Sequence, residues 1–362
     1  MISKKQTFII AEAGVNHNGN LKLAKKLIDV ASDAGANAIK FQTFRAKDLV
    51  SQKAAKADYQ IKNTNPSETH FDMIRKLELS EKDHEILIVH AQKRGIQFLS
   101  SPFDMDSLHL LTKKFGLKTI KIPSGEITNA PFLLEVARAS KQIILSTGMS
   151  TLEEIKIALG ILAFGFIEKM GAKPNLNNFK KAFNSKMGQQ ALKDKVTLLH
   201  CTTEYPAPYG DVNLLAMEAM AKIFGLPVGY SDHTLGIHIA LAAVARGATI
   251  VEKHFTLDRN MPGPDHKASL EPEELKQLVC QIRGIEQAMG DGIKRPMASE
   301  LKNREIARKS LVAAKDIRKG EEFTQENLIC KRPGNGLQPL NYWNILGTVA
   351  KRNYIMEEVL NV

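Results

Sequence analysis

The chain has 362 residues, of which 43% are hydrophobic and 25% charged, the proportions of an ordinary globular protein. This composition excludes collagen-like, low-complexity and disordered chains, and no apolar run reaches the roughly 20 residues that a membrane helix needs. Fifty Lys and Arg residues against 39 Asp and Glu give a net charge of +11. Because these cations are scattered and only 6% of the residues are aromatic, we expect a small anionic substrate rather than nucleic acid or a membrane as the partner.

The cysteines and the N-terminal residues indicate the cellular compartment. Cys201, Cys280 and Cys330 lie far apart in the sequence and predict neither a disulfide framework nor a metal-binding knot. The opening stretch MISKKQTFIIAEAG contains only a short apolar run, which is too brief for a secretory signal. A reducing, cytoplasmic compartment is therefore expected.

Short apolar runs rich in β-forming residues recur along the chain, each followed by a helical stretch. The predicted strands are Thr7–Glu12, Ala38–Gln42, Gln97–Ser101, Thr119–Ile122, Ile143–Thr147, Val196–Cys201, Val228–Ser231 and Ile250–His254. Between them lie amphipathic segments such as LKLAKKLIDVASDAG, whose apolar residues recur at helical spacing before Gly35. Eight strand–helix repeats favour an α/β fold with a closed parallel (β/α)₈ TIM barrel over an open doubly wound sheet.

The pattern changes near residue 290. We predict a barrel domain over residues 1–290, a linker over 291–305 and a small β-rich domain over 306–362. In the last segment, short alternating runs are separated by KG and PGNG turns. A domain of this size is expected to lean on the barrel or on a partner chain for stability.

Two long insertions interrupt the barrel pattern. Lys47–Ser80 follows the second predicted strand, so it would overhang the active face and is a candidate lid. Gly165–Lys195 is polar, rich in Lys and Asn, and precedes a strand. We expect it to form a surface loop at the opposite face or at the edge of the barrel.

The C-terminal ends of the strands of a barrel meet in one ring, and here nearly every predicted strand ends in polar residues. These residues are Glu12, Lys40, Gln42, Ser100, Ser101, Lys121, Ser124, Glu126, Ser146, Thr202, Thr203, Tyr205, Ser231, Asp232, His233 and His254. Their convergence predicts an active site at this face.

Lys40 and Lys121 each end an otherwise apolar strand. They are either two cations that hold a phosphate or carboxylate together with the hydroxyls of Ser124, Ser146 and Ser231, or interior lysines paired with carboxylates, or a Schiff-base site. Two lysines with several hydroxyls favour the first interpretation, which we call the anion cradle.

His233 and His254 end neighbouring strands, so two imidazoles are expected above one barrel mouth. Such a pair suits a divalent metal ion that keeps open positions and activates a carbonyl, although a buried histidine is also often purely structural. The sequence offers no third protein ligand, and water and substrate would complete the coordination.

Three further polar positions have two interpretations each. Glu126, in KIPSGE, is a general base or proton shuttle, or it is a helix-capping acid. Asp265 and His266 lie in the Gly- and Pro-rich stretch HFTLDRNMPGPDHKAS, which either recognises substrate or simply turns the chain. Arg332, in KRPGNG, is a surface arginine or one that faces a ligand.

Read together, the ordered motifs resemble the sialic acid synthase family. They are AEAGVNHNG, IKFQTF, KIPSGE, LSTGMS, LHCTTEYPAP, GYSDHTLG, EKHFTLD and KRPGNG. The resemblance spans the whole chain, including a C-terminal part that is similar to the antifreeze-like (SAF) domain of the family. It implies a transferase that condenses phosphoenolpyruvate with an acylated hexosamine and water to give a nine-carbon 2-keto acid and phosphate, working as a domain-swapped homodimer.

The resemblance also implies residue roles. Mn²⁺ or Mg²⁺ would be held by His233 and His254, and catalysis would use Glu126, which handles the water or proton, with Glu12 and His233. The residues implied to bind phosphoenolpyruvate are Lys40, Lys121, Ser124, Ser146, Thr203 and Ser231. Thr203 stands where some members have Asn. The residues implied near the amino sugar are Gln42, Tyr205, Asp265 and Arg332, the last reaching it from the partner chain.

Two sugars are known in this family. N-acetylmannosamine gives N-acetylneuraminate, and 2,4-diacetamido-2,4,6-trideoxymannose gives N,N'-diacetyllegionaminate. The stretches EYPAPYGDVN, SDHTLGI and ADYQIKNTN resemble the bacterial branch that contains legionaminate synthases and some neuraminate synthases, and we favour the second sugar. A metal-dependent barrel hydrolase and a non-catalytic sugar-binding protein are the alternatives, against which the anion cradle and the Glu126, His233 and His254 set argue.

Overall fold

Eight parallel strands form one sheet that curls into a nearly closed barrel within the first of two compact units, Met1–Gly290. The structure is a computed structural model that describes residues 6–65, 67–168 and 172–361. The strands are β1 Phe8–Gly14, β2 Ala38–Thr43, β3 Gln97–Pro102, β4 Thr119–Ile122, β5 Gln142–Ser146, β6 Val196–His200, β7 Val228–Asp232 and β8 Ile250–His254. Their hydrogen-bonded order is β3-β2-β1-β8-β7-β6-β5-β4, so the first strand pairs with the last and the predicted barrel is confirmed.

Helices surround this sheet. Within the described residues of the first unit they are α1 Leu21–Asp33, α2 Ala46–Leu49, α3 Asp58–Asn63, α4 His70–Arg75, α5 Glu81–Lys93, α6 Met105–His109, α7 Ala130–Ala139, α8 Leu152–Ile167, α9 Leu176–Asn184, α10 Lys186–Lys195, α11 Leu215–Phe224, α12 His238–Ala245 and α13 Pro272–Ala288. Several begin at side-chain caps that satisfy free backbone N–H groups: Asn20 caps α1, and Thr151 with Glu154 forms a capping box on α8. Across the described ranges, no helix combines the length and apolarity that crossing a membrane requires.

Side chains along each strand alternate between the barrel interior and the helical layer. One apolar layer closes the bottom of the interior, formed by Ile10, Ala38, Leu99, Ile144, Leu199 and Ile250. Two residues further along five of those strands come Glu12, Lys40, Ser101, Ser146 and Glu252. The polar residues of the barrel therefore rest directly on an apolar floor, on the same inward face.

The insertion after β2 folds into the short helices α2, α3 and α4. It is tied to the ends of the barrel strands, since the N–H of Ala46 donates to Glu78 at 2.7 Å and the amide of Asn63 donates to the carbonyl of Pro264 at 3.1 Å. At Gly19, with φ +69°, an added β carbon would lie 2.2 Å from the carbonyl oxygen of Lys76, so only glycine allows this approach. The insertion thus lies over the active face, as a lid would.

The second insertion departs from the expectation of a polar surface loop. Residues 176–195 form α9 and α10, which pack against α8 and against each other. Phe179, Ala182 and Leu192 are buried there, and the Phe179 ring stands edge-on to Phe164 with ring centroids 5.3 Å apart. Residues 169–171 of the insertion lie outside the described residues. The many lysines and asparagines occupy the outer faces of two amphipathic helices.

The second unit, Asp291–Val362, has its own small core. Its helices are α14 Leu301–Ala307 and α15 Tyr342–Ile345, and its strands, β9 Ser310–Ala313 and β10 Leu328–Lys331, pair antiparallel. The side chains of the core are Leu311, Ala313, Ile317, Phe323, Leu328, Ala350, Tyr354 and Leu360. The segment expected to be a linker contains a helical turn and most of α14.

Candidate active site

A cavity of about 290 Å³ opens at the C-terminal ends of the barrel strands. Most of the site residues predicted from the sequence line it: Glu12, Lys40, Gln42, Lys121, Ser124, Ser146, Thr203, Tyr205, Ser231, His233, His254 and Asp265. They come from seven different strands or the loops that follow them, so it is closure of the barrel that brings them together.

Six of the candidate residues lie outside the cavity lining: Ser100, Glu126, Thr202, Asp232, His266 and Arg332. Glu126 lies in the short helical turn Ser124–Glu126 outside the cavity lining, where its carboxylate accepts a hydrogen bond from Asn129 at 2.7 Å. Arg332 belongs to the second unit, where it is exposed and its Nε donates to the carbonyl of Ala307 at 2.9 Å.

The two lysines of the anion cradle are buried and share a carboxylate that sequence reasoning missed. Lys40 lies 2.8 Å from Glu12 and 3.6 Å from Glu252, and Lys121 lies 3.4 Å from Glu252. Ser231 donates to Glu252 at 2.8 Å. The structure thus shows the interpretation in which the two interior lysines are paired with carboxylates, and Glu252 balances the charge of both.

The pKa values of this cluster depend on two opposing effects, burial and the charges of neighbouring side chains. Burial works to raise the pKa of Glu252, but Lys121, Lys40 and the Ser231 hydroxyl outweigh it and hold this pKa well below its usual range. Burial, aided by the nearby charge of Lys40, lowers the pKa of Lys121. Burial also raises the pKa of Glu12 to about 7, in spite of its contact with Lys40. Glu252 therefore stays ionised, while Glu12 can exchange a proton near neutral pH.

Several cavity hydroxyls have no partner among the described residues. The Oγ of Ser146 and the Oγ1 of Thr203 are buried without a hydrogen bond. Buried polar groups are normally paired, so such atoms point to a ligand that supplies the missing bond. Beside them the Oγ of Ser124 accepts a hydrogen bond from the N–H of Gly148 at 3.0 Å and lies 3.2 Å from the thiol of Cys201.

Gly148 is the point on which these groups converge. A β carbon at this position would lie 2.3 Å from the Thr203 hydroxyl, 2.8 Å from that of Ser124 and 3.0 Å from the Cys201 sulfur. Gly148→Ala is therefore expected to push the hydroxyls apart and raise the KM for an anionic substrate by about tenfold or more, with an overpacking cost of about 1–3 kcal/mol. Steady-state kinetics and thermal melting measure the two effects.

The matched control for that substitution is Gly210→Ala. Gly210 is exposed, and an added β carbon there meets no atom within 4 Å. This variant should keep the kinetics of the parent enzyme. An unchanged KM for the anionic substrate in folded Gly148→Ala would show that these hydroxyls do not hold the anion.

His233 and His254 face each other across the same cavity, with ring centroids 5.6 Å apart. The Nδ1 of His233 lies 2.6 Å from the carbonyl of Thr202 and donates to it, which leaves Nε2 as the nitrogen with a lone pair. Nδ1 of His254 is buried without a hydrogen bond and lies 3.9 Å from an oxygen of Asp265. Burial lowers the pKa of His233 to about 4 and that of His254 well below its usual value, so both imidazoles are neutral.

Neutral imidazoles with free lone pairs beside a carboxylate fit a divalent transition metal. In the part of the chain that the structure describes, no group of three or more His, Cys, Asp or Glu side chains is placed to hold an ion. The fit is therefore to two protein ligands with several positions left open.

Behind the two histidines lies a second charged pair, which includes Asp232. The sequence placed Asp232 in the ring of site residues, but it does not line the cavity. Lys253 and Asp232 are fully buried, with 2.8 Å between their charged atoms. Asp232 also accepts from the N–H and hydroxyl of Thr234 at 2.9 and 2.8 Å. Each member is next in sequence to one of the two histidines, so the pair joins the ends of β7 and β8 from outside the barrel.

Glu12, Gln42 and His254 meet around Gly14. A β carbon on Gly14 would lie 3.3–3.4 Å from an atom of each of these three side chains. Tyr205 covers the histidines, with its ring centroid 4.2 Å from that of His233. Burial raises the pKa of Asp265 to about 6. The predicted sugar-side residues of the barrel thus surround the histidine pair.

Comparison with known proteins agrees with this arrangement. The profile of the NeuB family matches residues 27–294, and that of the SAF domain matches residues 308–354. The chain is 56% identical to the N,N'-diacetyllegionaminic acid synthase of Campylobacter jejuni, over 98% of this chain and 99% of that protein. It is 46% identical to the protein of the same name from Legionella pneumophila, over 97% and 92% of the two chains.

A solved structure is similar as well. The N-acetylneuraminic acid (sialic acid) synthetase of Leptospira borgpetersenii, in complex with citrate, is 36% identical and has a TM-score of 0.67, covering 82% of this chain and 90% of that one. The chain belongs to the NeuB family. The predicted (β/α)₈ barrel with a C-terminal SAF domain, and the class of phosphoenolpyruvate-using condensing synthases, are thereby confirmed.

Proposed function

We propose that the protein condenses phosphoenolpyruvate with 2,4-diacetamido-2,4,6-trideoxymannose and water to give N,N'-diacetyllegionaminate and phosphate. The observation that carries the proposal is the cavity that joins two buried lysines and unpartnered hydroxyls to two neutral histidines. The two relatives named for this product support the choice of sugar. Synthesis of N-acetylneuraminate from N-acetylmannosamine is the second candidate, favoured by the name of the Leptospira structure.

In this proposal the anion cradle holds phosphoenolpyruvate. Lys40 and Lys121 neutralise its charged groups, and the hydroxyls of Ser124 and Ser146 donate hydrogen bonds, with Thr203 in place of an amide, while Ser231 lies beside the anion with its own proton donated to Glu252. These donors are already positioned in the folded chain, so little reorganisation is needed as charge shifts to the leaving phosphate. Glu252 keeps the empty cradle from being an uncompensated pair of buried cations.

The sugar would bind above the cradle, near Gln42, Tyr205 and Asp265. The enol carbon of phosphoenolpyruvate forms the new bond to the aldehyde carbon of the open-chain sugar, water adds to the adjacent carbon, and phosphate leaves. Glu12, with a pKa near 7, is suited to accept the proton of that water.

We propose that Mn²⁺ or Mg²⁺ is held by His233 and His254, with the remaining positions filled by water and substrate. When bound, the ion would supply Lewis-acid activation of a carbonyl. The bond from His233 Nδ1 to Thr202 orients Nε2 toward the cavity, and the buried Asp232–Lys253 pair fixes the two strand ends.

His254→Gln is expected to lower the affinity for Mn²⁺ by about 10- to 100-fold, because it removes one of two protein ligands. Equilibrium dialysis and the EPR spectrum of Mn²⁺ measure binding independently of turnover. His238→Gln is the control, because His238 is exposed and lies outside the cavity lining. Chelation should abolish activity and added Mn²⁺ or Mg²⁺ restore it; full activity of metal-free protein would disprove the assignment.

We also propose a domain-swapped homodimer in which the second unit of one chain supplies Arg332 to the barrel of its partner. Support comes from the smallness of the core of that unit and from the exposure of the arginine.

The thiols of Cys201, Cys280 and Cys330 are all free, which supports a cytoplasmic location.

Subunit mixing tests the shared site. His254→Ala and Arg332→Ala should each be inactive, but a mixed dimer contains one barrel with an intact histidine that receives an intact arginine. Random exchange should therefore restore about a quarter of all sites, by two-fold symmetry. If purified mixed dimers of folded chains stay inactive, Arg332 does not act in trans.

The proposed reaction is tested by phosphate release from phosphoenolpyruvate with each sugar, and by mass spectrometry of the product. We expect a higher kcat/KM with the trideoxy sugar than with N-acetylmannosamine. The reverse preference would favour the second candidate, and phosphate release without any sugar would point to hydrolysis.

A further inference from the structure

One side of the active-site cavity is built almost entirely of carbon. Seven apolar side chains line it, and we call them the apolar wall: Val15, Phe44, Leu49, Met73, Ile74, Leu77 and Phe103. Val15, Phe44 and Leu77 form a small buried cluster of their own, against which Ile74 and Phe103 pack. The wall is thus a coherent surface, separate from the main core.

The wall lies above the anion cradle rather than beside it. Lys40 and Gln42 alternate along β2 and are followed by Phe44, the first residue after that strand; Ser101 of β3 is likewise followed by Phe103, the first residue after β3. Residues two apart on one strand face the same way and are about 7 Å apart along it. Only a second substrate that binds above the anion would therefore extend far enough from the anion cradle to contact the apolar wall.

Val15 follows β1, and the rest of the wall comes from the lid insertion, which is held in place over the cavity. Met73 is on α4, and Leu77 follows it. The neighbouring helix α3 is fixed by Tyr59, whose ring centroid is 5.1 Å from that of Tyr205, and by the bond from Asn63 to Pro264. The lid therefore brings the apolar wall and the covering of the histidine pair to the same cavity.

Polar partners are scarce at this level. On the wall side of the cavity, within the described ranges, the polar lining consists of Gln42, Tyr59, Gln60 and Ser101, and Ser101 already accepts a hydrogen bond from Lys40 at 3.2 Å. A sugar hydroxyl pressed against the wall would lose its water and find few replacements, whereas a methyl group there gains contact.

We infer that the apolar wall selects the sugar by receiving its carbon-rich end, the C6 methyl of a 6-deoxy sugar and the methyl of its 4-acetamido group. A fully hydroxylated sugar places a C6 hydroxyl at the same surface and is disfavoured. This inference rests on the proposed function and assigns the choice of sugar to Met73, Ile74 and their neighbours. In an apolar pocket, a difference of one such group changes kcat/KM by roughly 10- to 200-fold.

The test is the ratio of kcat/KM for the trideoxy sugar to that for N-acetylmannosamine. Met73→Gln keeps an unbranched side chain of similar length but adds an amide, and we expect it to lower the ratio at least tenfold. Met73→Leu, which keeps the wall apolar, should leave the ratio within about twofold. Met187→Gln makes the same chemical change at an exposed position of α10 and should leave both rate constants unchanged.

A second variant protects the test against misfolding of the first. Ile74 is only partly buried, so Ile74→Thr adds a hydroxyl to the wall at a smaller cost in folding. The ratio should fall for this variant also, mainly through the KM of the trideoxy sugar, while the KM for phosphoenolpyruvate stays constant.

The outcomes separate the two claims. If the parent enzyme prefers the trideoxy sugar but folded Met73→Gln and Ile74→Thr keep its ratio, the wall does not select the sugar and the proposed function stands. If the parent enzyme prefers N-acetylmannosamine or uses neither sugar, the proposed function fails and the inference fails with it.

Discussion

Lys121→Met is expected to lower kcat/KM for phosphoenolpyruvate by about 30- to 5,000-fold, which corresponds to about 2–5 kcal/mol for a desolvated charge contact. The side chain is buried and lies 3.4 Å from Glu252, and methionine fills its space without the charge. In the variant, Lys40 alone must balance both Glu252 and the incoming anion. The KM for the sugar should change much less, because the sugar binds at a higher level of the cavity.

Lys118→Met is the matched control, since Lys118 is exposed just before the same strand. Steady-state kinetics with each substrate varied in turn gives the comparison, and thermal melting checks the fold. Borohydride with substrate should trap no adduct on the parent enzyme. A covalent adduct at Lys121 would replace the anion cradle by a Schiff-base site.

Glu12→Gln is expected to lower kcat by roughly 10²–10⁴-fold while phosphoenolpyruvate still binds, because the amide keeps the shape but cannot accept a proton. The pH profile gives a second readout. Burial raises the pKa of Glu12 to about 7, so the carboxyl is protonated below that pH and acts as a base only above it. The rate of the parent enzyme should rise through pH 7, and this rise should be absent in Glu12→Gln.

Glu126→Gln in the same assays compares the two carboxylates assigned to catalysis from the sequence. Because Glu126 bonds to Asn129 outside the cavity lining, we expect a smaller loss from this variant than from Glu12→Gln. A larger loss in Glu126→Gln would return the proton-handling role to Glu126, and near-normal kcat in Glu12→Gln would leave Glu12 only its contact with Lys40.

The barrel could be predicted closely because its strands are buried on both faces and therefore appear as apolar runs bounded by polar residues. Thr119–Ile122 and Ile250–His254 coincide with β4 and β8, and the other predicted strands differ by one or two residues at an end. A residue at the C-terminal end of such a strand lies at the mouth of the barrel, however the neighbouring side chains pack. The ring of site residues could be found for the same reason.

Glu252 was missed although a signal was present. It is two residues before His254 on β8, so it faces the same way as that histidine. An acid inside a predicted strand invites the interpretation of a tolerated polar residue, and only the closed barrel shows Lys40 and Lys121 on either side of it. Sequence periodicity predicts whether a strand residue faces the barrel interior. It does not predict which residues of other strands it meets there.

Periodicity could have predicted α9 from Phe179 and Ala182, three residues apart, and α10 from Gly188 and Leu192, four residues apart, had composition not been weighted above it. The apolar wall could not be predicted in this way. Its residues come from three strand ends and one insertion, at sequence separations of up to 88 residues between Val15 and Phe103. Only the folded lid brings them to one surface.

The order of the sheet begins at β3 and finishes at β4, so among the described strands the ladder of hydrogen bonds that runs around the barrel stops between these two. Lys40 and Ser101 stand on one side of this seam and Lys121 on the other. Separating β3 from β4 breaks no hydrogen bond of the sheet. The same movement weakens the binding of the anion, because it moves Lys121 away from Lys40 and Ser101. We therefore expect the barrel to open most easily between β3 and β4, where phosphate would leave in the proposed reaction. The amide protons of β3 and β4 that face the seam should exchange with solvent sooner than those of β1 and β8.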